Sequence, residues 1–429
     1  MDYTSNTDKD RELMLKEIGV KDVMDLFKDV PQDLILKKPL QIPGSLSEFE
    51  LLHEIGKIAK KNKKIISFLG GGSYNHHIPS TVEAVISRGE FSTSYTPYQP
   101  EISQGTLQAI YEYQSMICEL TGMDVSNASM YDGATSLAEA MVIATRIKGK
   151  KQVLVSKTVN PFYREVLQTY ATANEIKIGE VDYADGLTSD CDPQGSSAIV
   201  IQNPNFFGLI EDLDEIRRRS KDLLFITSTT EPLSWAVLRP FSESSVDIVT
   251  AEGQSFGIPM NFGGPGLGIF ATKQAYVRQM PGRLVGETVD IDGKRGFALT
   301  LCTREQHIRR ERATSNICTN EGLCALAAAV YLATYGKNLG KLARLNNQLA
   351  VYFANMLHQI EGIEMVFDKP FFNEFVVKIE RDILAKIPDI EIGIRLEKYY
   401  PELKGCYLIC CTEMTPKEDL DRVLHEITQ

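Results

Sequence analysis

The chain has 429 residues, of which 43% are hydrophobic and 24% charged, which excludes a disordered protein and a miniprotein dependent on disulfides or metals. Lys and Arg total 46 against 57 Asp and Glu, and the net charge of −11 argues against nucleic acid as the main partner. The first residues are acidic and polar, and no run reaches the ~18 apolar residues of a membrane helix. Eight scattered cysteines form no disulfide pattern, so we expect a cytoplasmic protein without membrane contact.

Residues 1–65 are predicted to form an N-terminal helical arm. Ile55 and Ile58 belong to an apolar stripe with helical spacing, and Ser45 or Ser47 precedes it as a candidate cap. The alternation of strands and helices that follows begins near residue 104.

Residues 66–335 are predicted to form a large α/β domain. Short β-rich runs are separated mostly by helical stretches such as Pro161–Tyr170 and Asp212–Lys221, which is typical of a largely parallel sheet covered on both faces. A loop rich in Gly and Pro joins the last two runs, so one antiparallel pair is expected there. The runs are Gln152–Ser156, Ser197–Gln202, Leu223–Thr227, Val246–Thr250 and Leu267–Thr272.

Residues 336–429 are predicted to form a smaller α+β domain, reached through a helical stretch, Glu321–Ala354, that is interrupted near Gly336 and Gly340. Its expected strands are Glu374–Lys378 and Cys406–Thr412. Thr415 is predicted to cap the final helix, with Pro416 at the first helical position.

Two glycine-containing segments are candidate ligand sites. Gly133, Ala134 and Thr135 open a strong helix, where backbone N–H groups can hold a phosphate, although by themselves they favour an ordinary capped helix start. Gln254 follows a strand, where open α/β sheets bind ligands, but the glycines around it can simply serve a turn. Leu69–Gly72 lacks the spacing of a nucleotide-binding loop and is interpreted as a tight turn.

A metal site is not expected, because His76 and His77 are adjacent and the cysteines lack paired CxxC spacing. The segment Tyr95–Glu101 is held extended by two prolines. It can present two phenols, an amide and a carboxylate to a ligand, or serve as a packed connector. The basic patch Arg309–Arg312 suits an anion, an interface or a solvated surface.

Four stretches together resemble the P-protein of the glycine cleavage system, the glycine dehydrogenase (decarboxylating): YTPYQPEISQG (95–105), MYDGATSLAEA (130–140), EGQSFGIPMNFGGPG (252–266) and TREQHIRRERATSNICTN (303–320). The chain looks like the N-terminal half of that enzyme in its split, two-chain form. The resemblance implies the transferase fold type I of enzymes dependent on pyridoxal phosphate (PLP). That fold has a large mixed-sheet α/β/α domain and a small C-terminal α+β domain.

The resemblance also implies a chemistry that this chain does not perform alone. Glycine is decarboxylated on PLP, and its aminomethyl group passes to the lipoyl arm of the H-protein. A fold type I enzyme needs a lysine near the position of Gln254, and Glu231 is the best candidate for the acid that pairs with the pyridine nitrogen. The lysine and PLP are therefore expected on a second subunit, and Gly133, Ala134 and Thr135 become a vestigial phosphate site.

The expected assembly is α2β2, with this chain completing the site in trans. Tyr95 and Tyr98 are candidates for hydrogen bonds to the glycine carboxylate or for packing on the cofactor, and Gln99 and Glu101 for ordering their loop. Asn316 is a candidate for lining the interface or the lipoyl entrance.

Two alternatives stay open. One is an independent PLP-dependent lyase or transferase that uses another lysine, such as Lys157 or Lys273. The other is a purely structural scaffold subunit without site residues.

Overall fold

A computed structural model describes residues 6–63, 65–384, 387 and 389–429 of the chain. Contacts between residues divide the chain into two compact units, residues 1–64 and residues 65–429. None of the helices in the described ranges combines the length and the apolar character of a membrane span.

The first unit contains α1 (Asp8–Ile18), a 3-10 turn at Val23–Phe27, and α2 (Glu48–Ala59). Capping boxes begin both helices, with Thr7 pairing with Asp10 and Ser47 with Glu50, so Ser47 is the cap of α2. The described residues 28–46 contain no helix, because three prolines interrupt the segment, and the prediction of helix throughout residues 1–65 is too broad. Residues 1–5 and 64 of the predicted arm lie outside the described residues.

A seven-stranded mixed sheet forms the centre of residues 65–429. Its strands are, in order across the sheet, Val125–Ser126, Gly268–Thr272, Ile248–Glu252, Leu224–Thr229, Ala198–Gln202, Gln152–Ser156 and Lys177–Val181. The last five run parallel, whereas Gly268–Thr272 is antiparallel to both of its neighbours. The five predicted strands and the antiparallel pair are confirmed. The edge strand Lys177–Val181 was missed because only its last residue is buried, so its apolar signal is weak.

Both faces of this sheet are covered. Along the strand Ala198–Gln202, Ala198 and Val200 pack into one core while Ile199 and Ile201 pack into the other, which explains why its first four residues are all apolar. The helices of this unit are α3 (Ser80–Ile86), α4 (Gly89–Ser92), α5 (Gln104–Thr121), α6 (Gly133–Lys148), α7 (Pro161–Ala173), α8 (Leu213–Arg219), α9 (Gln306–Arg309), α10 (Gly322–Tyr335), α11 (Leu339–Leu357), α12 (Arg381–Leu384) and α13 (Lys417–Thr428).

An antiparallel sheet of four strands lies toward the C-terminus, in the order Ile363–Met365, Glu374–Ile379, Cys406–Cys410 and Ile394–Arg395. Phe353 of α11 and Leu420 of α13 pack on it, and the predicted strands and final helix are confirmed. The predicted cap is wrong: Pro416 precedes the helix, and the Thr415 hydroxyl instead donates to the carbonyl of Thr412 at 2.7 Å. The division of residues 66–429 into a large and a small domain stays a prediction.

Short antiparallel and parallel pairs complete the fold: the hairpin Leu284–Val289 with Arg295–Thr300, the pair Tyr183–Ala184 with Leu187–Thr188, and the pair Ile66–Ser67 with Ile390–Glu391. The hairpin is anchored by Gln104, whose side-chain amide accepts from the N–H of Phe297 and donates to its carbonyl, each at 2.9 Å. This contact connects the hairpin to the first turn of α5, directly after the segment Tyr95–Glu101.

Candidate functional site

Polar side chains follow the central parallel strands where these strands end. Glu231 lies two residues beyond one strand, Glu252 is the last residue of the next, and Gln254 lies two residues further on. Carboxyl ends of parallel strands share one edge of a sheet, the edge where open α/β sheets bind ligands. Segment 70–77 reaches the same edge. We call the following residues the strand-edge cluster: Tyr74, His76, Glu231, Glu252 and Gln254.

His76 lies between two buried carboxylates. Its Nε2 is 2.7 Å from Glu231 Oε2 and its Nδ1 is 2.9 Å from Glu413 Oε2, with the three side chains 2%, 3% and 8% exposed. Burial lowers the pKa of His76, but the two carboxylates outweigh burial and raise the pKa to about 10. The imidazole is therefore a cation at neutral pH. Burial raises the pKa of Glu413, but the contact with His76 brings it below the ordinary value.

Gln254 is held by backbone groups. Its amide oxygen accepts from the N–H of Tyr74 at 2.9 Å, and its amide nitrogen donates to the carbonyls of Tyr74 and Ile258 at 3.0 and 2.6 Å. The residue is 8% exposed, so these contacts meet the hydrogen-bonding needs of a buried amide.

The Glu252 carboxylate lies at the N-terminus of α6. Its Oε2 accepts from the N–H of Gly133 at 3.0 Å, and its Oε1 accepts from the N–H groups of Leu267 and Gln254 at 2.8 and 3.1 Å. Asp132 caps the same helix by accepting from the N–H of Thr135 at 2.7 Å. Burial raises the pKa of Glu252, and the three N–H groups oppose that shift. The chain thus supplies its own anion to this helix start.

Glu374 joins segment 70–77 to the C-terminal sheet. It accepts from the N–H of Gly71 at 2.6 Å and from the Tyr74 hydroxyl at 2.9 Å. A Cβ at Gly70 would lie 2.4 Å from Glu374 and 2.6 Å from Cys410, so only glycine fits this approach. Burial raises the pKa of Glu374 to about 7, against the effect of these two hydrogen bonds.

We expect Glu374→Gln to change how the free energy of unfolding depends on pH. The folded-state pKa of Glu374 is raised, so the wild-type chain loses stability as pH rises from about 4.5 to about 7, and the loss is complete above that range. Glutamine keeps the shape and does not titrate, so the variant should gain about 3 kcal/mol relative to wild type between pH 4.5 and pH 8. Urea denaturation of both proteins across this range measures the difference. Parallel curves would contradict the assignment.

The segment Tyr95–Glu101, which we call the tyrosine loop, rests on a buried arginine. Arg283, 2% exposed, donates to the Tyr98 hydroxyl at 2.8 Å and to the hydroxyls of Thr96 and Thr319 at 3.2 and 2.7 Å. Its Nε lies 3.4 Å from Glu305 Oε2. Arg283 therefore ties the loop to the stretch 303–320 and to the hairpin that begins one residue later.

The other predicted site residues are at the surface. Tyr95 is 80% and Tyr98 53% exposed, and Gln99, Glu101 and Asn316 are exposed as well. Asn316 hydrogen-bonds to Tyr170 of α7. Beside Tyr95 a cleft of about 250 Å³ opens between the tyrosine loop and the start of α10.

The lysines considered as alternatives are engaged elsewhere. Lys273 is 2.6 Å from Asp247, which precedes the strand Ile248–Glu252 and so lies at the opposite edge from Gln254. Lys157 is 2.6 Å from Asp182. Within the described residues, no group of three or more His, Cys, Asp or Glu side chains is placed to hold a metal ion.

Sequence reasoning identified Glu231 and Gln254. It missed the residues that surround them, Tyr74, His76, Glu252, Glu374 and Glu413, and it also missed Arg283 beneath the tyrosine loop. The available signal was the segment LGGGSYNHH (69–77), in which small residues precede an aromatic and two histidines. The interpretation of Leu69–Gly72 as a simple turn overlooked that this turn places Tyr74 and His76 at the strand edge.

The fold and the position of these residues define a type I PLP-dependent enzyme architecture. The C-DES protein, solved with glycine covalently linked to its PLP cofactor, has a TM-score of 0.58 at 16% identity and covers 88% of this chain and 99% of its own. This likeness confirms the predicted fold class.

The family model of the glycine cleavage system P-protein matches residues 1–427, and the chain belongs to this family. A relative from Desulforamulus reducens, named probable glycine dehydrogenase (decarboxylating) subunit 1, is 45% identical over 98% of both chains. The crystal structure of a glycine decarboxylase (P-protein) in inhibitor-bound form has a TM-score of 0.88 at 42% identity. It covers 100% of this chain and 99% of its own.

The strand-edge cluster does not fit PLP. The cofactor needs a lysine amine, and position 254 carries an amide whose hydrogen bonds are already made. Its phosphate needs the N–H groups at the start of α6, and Glu252 and Asp132 already occupy two of them.

Proposed function

We propose that this chain is the first subunit of a glycine dehydrogenase (decarboxylating) divided between two chains, and that it is inactive alone. Together with a partner subunit that carries PLP, it decarboxylates glycine and transfers the aminomethyl group to the lipoyl arm of the H-protein. PLP supplies the electron sink for this chemistry. One observation carries the proposal: a match to the P-protein family over residues 1–427 coincides with a hydrogen-bonded glutamine at position 254.

The exposed apolar residues of the N-terminal unit are evidence for a partner chain, in an assembly that we propose to be α2β2. No described residue between 6 and 63 is buried, although the segment is rich in large apolar side chains. Exposed apolar surface on this scale marks a protein interface. Prominent members are Leu13, Ile18, Phe27, Leu34, Leu40, Phe49, Leu52 and Ile55.

The tyrosine loop is proposed to complete the partner's site. The phenols of Tyr95 and Tyr98 are exposed, and the Arg283 guanidinium that donates to Tyr98 polarises its hydroxyl toward an acceptor such as the glycine carboxylate. Gln99 and Glu101 are proposed to order the loop, since Gln99 precedes and Glu101 lies within the 3-10 turn at Pro100–Ile102 with which the loop ends. Asn316 is proposed to line the interface or the lipoyl entrance.

The test is reconstitution with the partner subunit, lipoylated H-protein and PLP. Release of labelled CO2 from carboxyl-labelled glycine should require both chains, and neither chain alone should reach the rate of the pair. Borohydride reduction followed by peptide mapping should place pyridoxyl-lysine on the partner. An adduct on Lys157 or Lys273 of this chain, together with activity in the absence of the partner, would instead establish an independent PLP enzyme.

Tyr98→Phe is expected to lower kcat/KM for glycine by about 10-fold, as for loss of one hydrogen bond to a charged group, which is worth about 1.5 kcal/mol. Assembly should be unchanged on size-exclusion chromatography. Tyr352→Phe, which removes a hydroxyl bonded to Asp421 instead, is the matched control. Normal turnover in Tyr98→Phe and in Tyr95→Phe would favour a purely structural scaffold.

A further inference from the structure

The strand-edge cluster is more than a site that has lost a lysine, because its polar positions are all filled by the chain itself. We propose that Glu252, His76 and the backbone of Tyr74 stand where PLP would place its phosphate, its ring nitrogen and its aldehyde, so that this edge is a closed core. The inference rests on the proposed function in one respect, namely that this chain holds no PLP. The closed core is the physical reason why PLP does not bind.

The first replacement is an anion for an anion. The N-terminus of α6 attracts negative charge, and the Glu252 carboxylate lies there with its Oε2 3.0 Å from the N–H of Gly133. A Cβ at Gly133 would lie 2.8 Å from the backbone nitrogen of Glu252, so the two segments are in close contact. The Glu252 carboxylate therefore stands on the N–H of Gly133 in the place of a phosphate.

The second replacement is a cation for a cation. Fold type I enzymes pair the pyridinium nitrogen of PLP with a carboxylate. Here the acid that follows the strand, Glu231, meets the imidazolium of His76 at 2.7 Å. Like a pyridinium, an imidazolium is a planar aromatic cation that donates an N–H, and Glu413 binds its other nitrogen at 2.9 Å.

The third replacement is at position 254. The amide of Gln254 makes two hydrogen bonds to the backbone of Tyr74, at 2.9 and 3.0 Å. Tyr74 is also held by its side chain, whose hydroxyl lies 2.9 Å from Glu374 and 3.1 Å from Thr230. Segment 70–77 therefore lies against position 254, held there by the buried contacts of Tyr74 and His76.

The decisive experiment restores the lysine without opening the site. Gln254→Lys is prepared as full-length chain, incubated with PLP, reduced with borohydride and mapped by mass spectrometry. The expected result is no pyridoxyl group at position 254. In parallel, the wild-type chain is titrated with pyridoxamine phosphate, which needs no lysine, and no saturable binding is expected. This second arm keeps the test valid if Gln254→Lys does not fold.

A third protein, with His76→Gly and Glu252→Ser added to Gln254→Lys, is expected to gain the adduct that the single variant lacks, and a third protein that folds on circular dichroism without gaining it would contradict the three replacements. A stoichiometric adduct in Gln254→Lys alone would overturn the closed core and leave the proposed function standing. Saturable binding of pyridoxamine phosphate to the wild-type chain would also overturn the closed core, and a stoichiometric pyridoxyl-lysine on that chain, with activity in the absence of the partner, would overturn the proposed function as well. The two failures are thus distinguishable.

Discussion

Replacing His76 by glutamine is expected to lower the free energy of unfolding by about 3–5 kcal/mol, the usual cost of removing one partner from a buried ion pair. His76 is the cation between Glu231 and Glu413, and its side chain is only 2% exposed. Glutamine can still form hydrogen bonds, but it leaves two carboxylates in one buried space without a counter-charge. Urea denaturation at pH 7 measures the effect.

His425→Gln is the matched control, because His425 is exposed on α13 and its loss should change stability by no more than about 0.5 kcal/mol. Adding Glu231→Gln to His76→Gln should recover part of the loss, since it removes one of the two uncompensated charges. Equal stabilities of His76→Gln and the control would contradict a buried imidazolium.

The pH dependence of this contribution follows from the pKa values. His76 has a folded-state pKa of about 10 against 6.5 for an ordinary histidine, so its contribution is fully present below about pH 6.5 and is lost as pH rises through about 10. Glu413 acts in the opposite direction. Its lowered pKa gives a contribution that is present above the ordinary value of 4.5 and is lost as pH falls through the folded-state pKa.

Arg283→Gln is expected to lower the turnover of the assembled enzyme by about 10–100-fold, because small displacements of positioned groups cost this much. Arg283 is a positioning residue: it touches Thr96, Tyr98 and Thr319 from beneath the tyrosine loop. Its loss should reduce kcat more than it raises KM for glycine. Arg283→Lys should rescue only in part, since an ammonium lacks the planar fork that reaches several hydroxyls.

Arg295→Gln is the matched control, because Arg295 lies on the hairpin that Arg283 precedes and pairs with Glu287 at the surface. Melting curves and size-exclusion profiles of both variants show whether fold and assembly survive. If Arg283→Gln assembles normally and turns over like Arg295→Gln, the tyrosine loop does not serve the partner's site.

Local patterns were sufficient for most of the secondary structure. The strand Gln152–Ser156 was predicted to the residue, and the other four predicted strands of the large sheet within two residues at either end. Buried parallel strands are short apolar runs between helices, and that signal is contained within a few neighbouring positions.

Two predictions from local patterns failed, each because another local interaction or residue prevailed. Thr415 has the residue type and position expected of a helix cap, yet its hydroxyl donates to the carbonyl of Thr412 in the preceding turn. The three prolines of residues 28–46 were present in the sequence, and weighting them more heavily would have corrected the arm.

For the site, the chemistry of single positions could be read directly. Glu231 and Gln254 stand just beyond strands, and the family resemblance, which implies a Schiff-base lysine near position 254, identifies the glutamine there as its replacement. Their partners could not be found in this way. His76 precedes Glu231 by 155 residues and Glu413 by 337, and no periodicity connects positions so far apart.

The amino-acid sequence was therefore enough for the strands, the fold class, the family resemblance and the missing lysine. Each of these depends on residue type, local spacing or a contiguous motif. The closed strand edge and the arginine beneath the tyrosine loop emerged only when distant segments were brought together. Burial makes these contacts important for stability, because a carboxylate or an imidazolium that leaves water without its distant counter-charge is strongly destabilising.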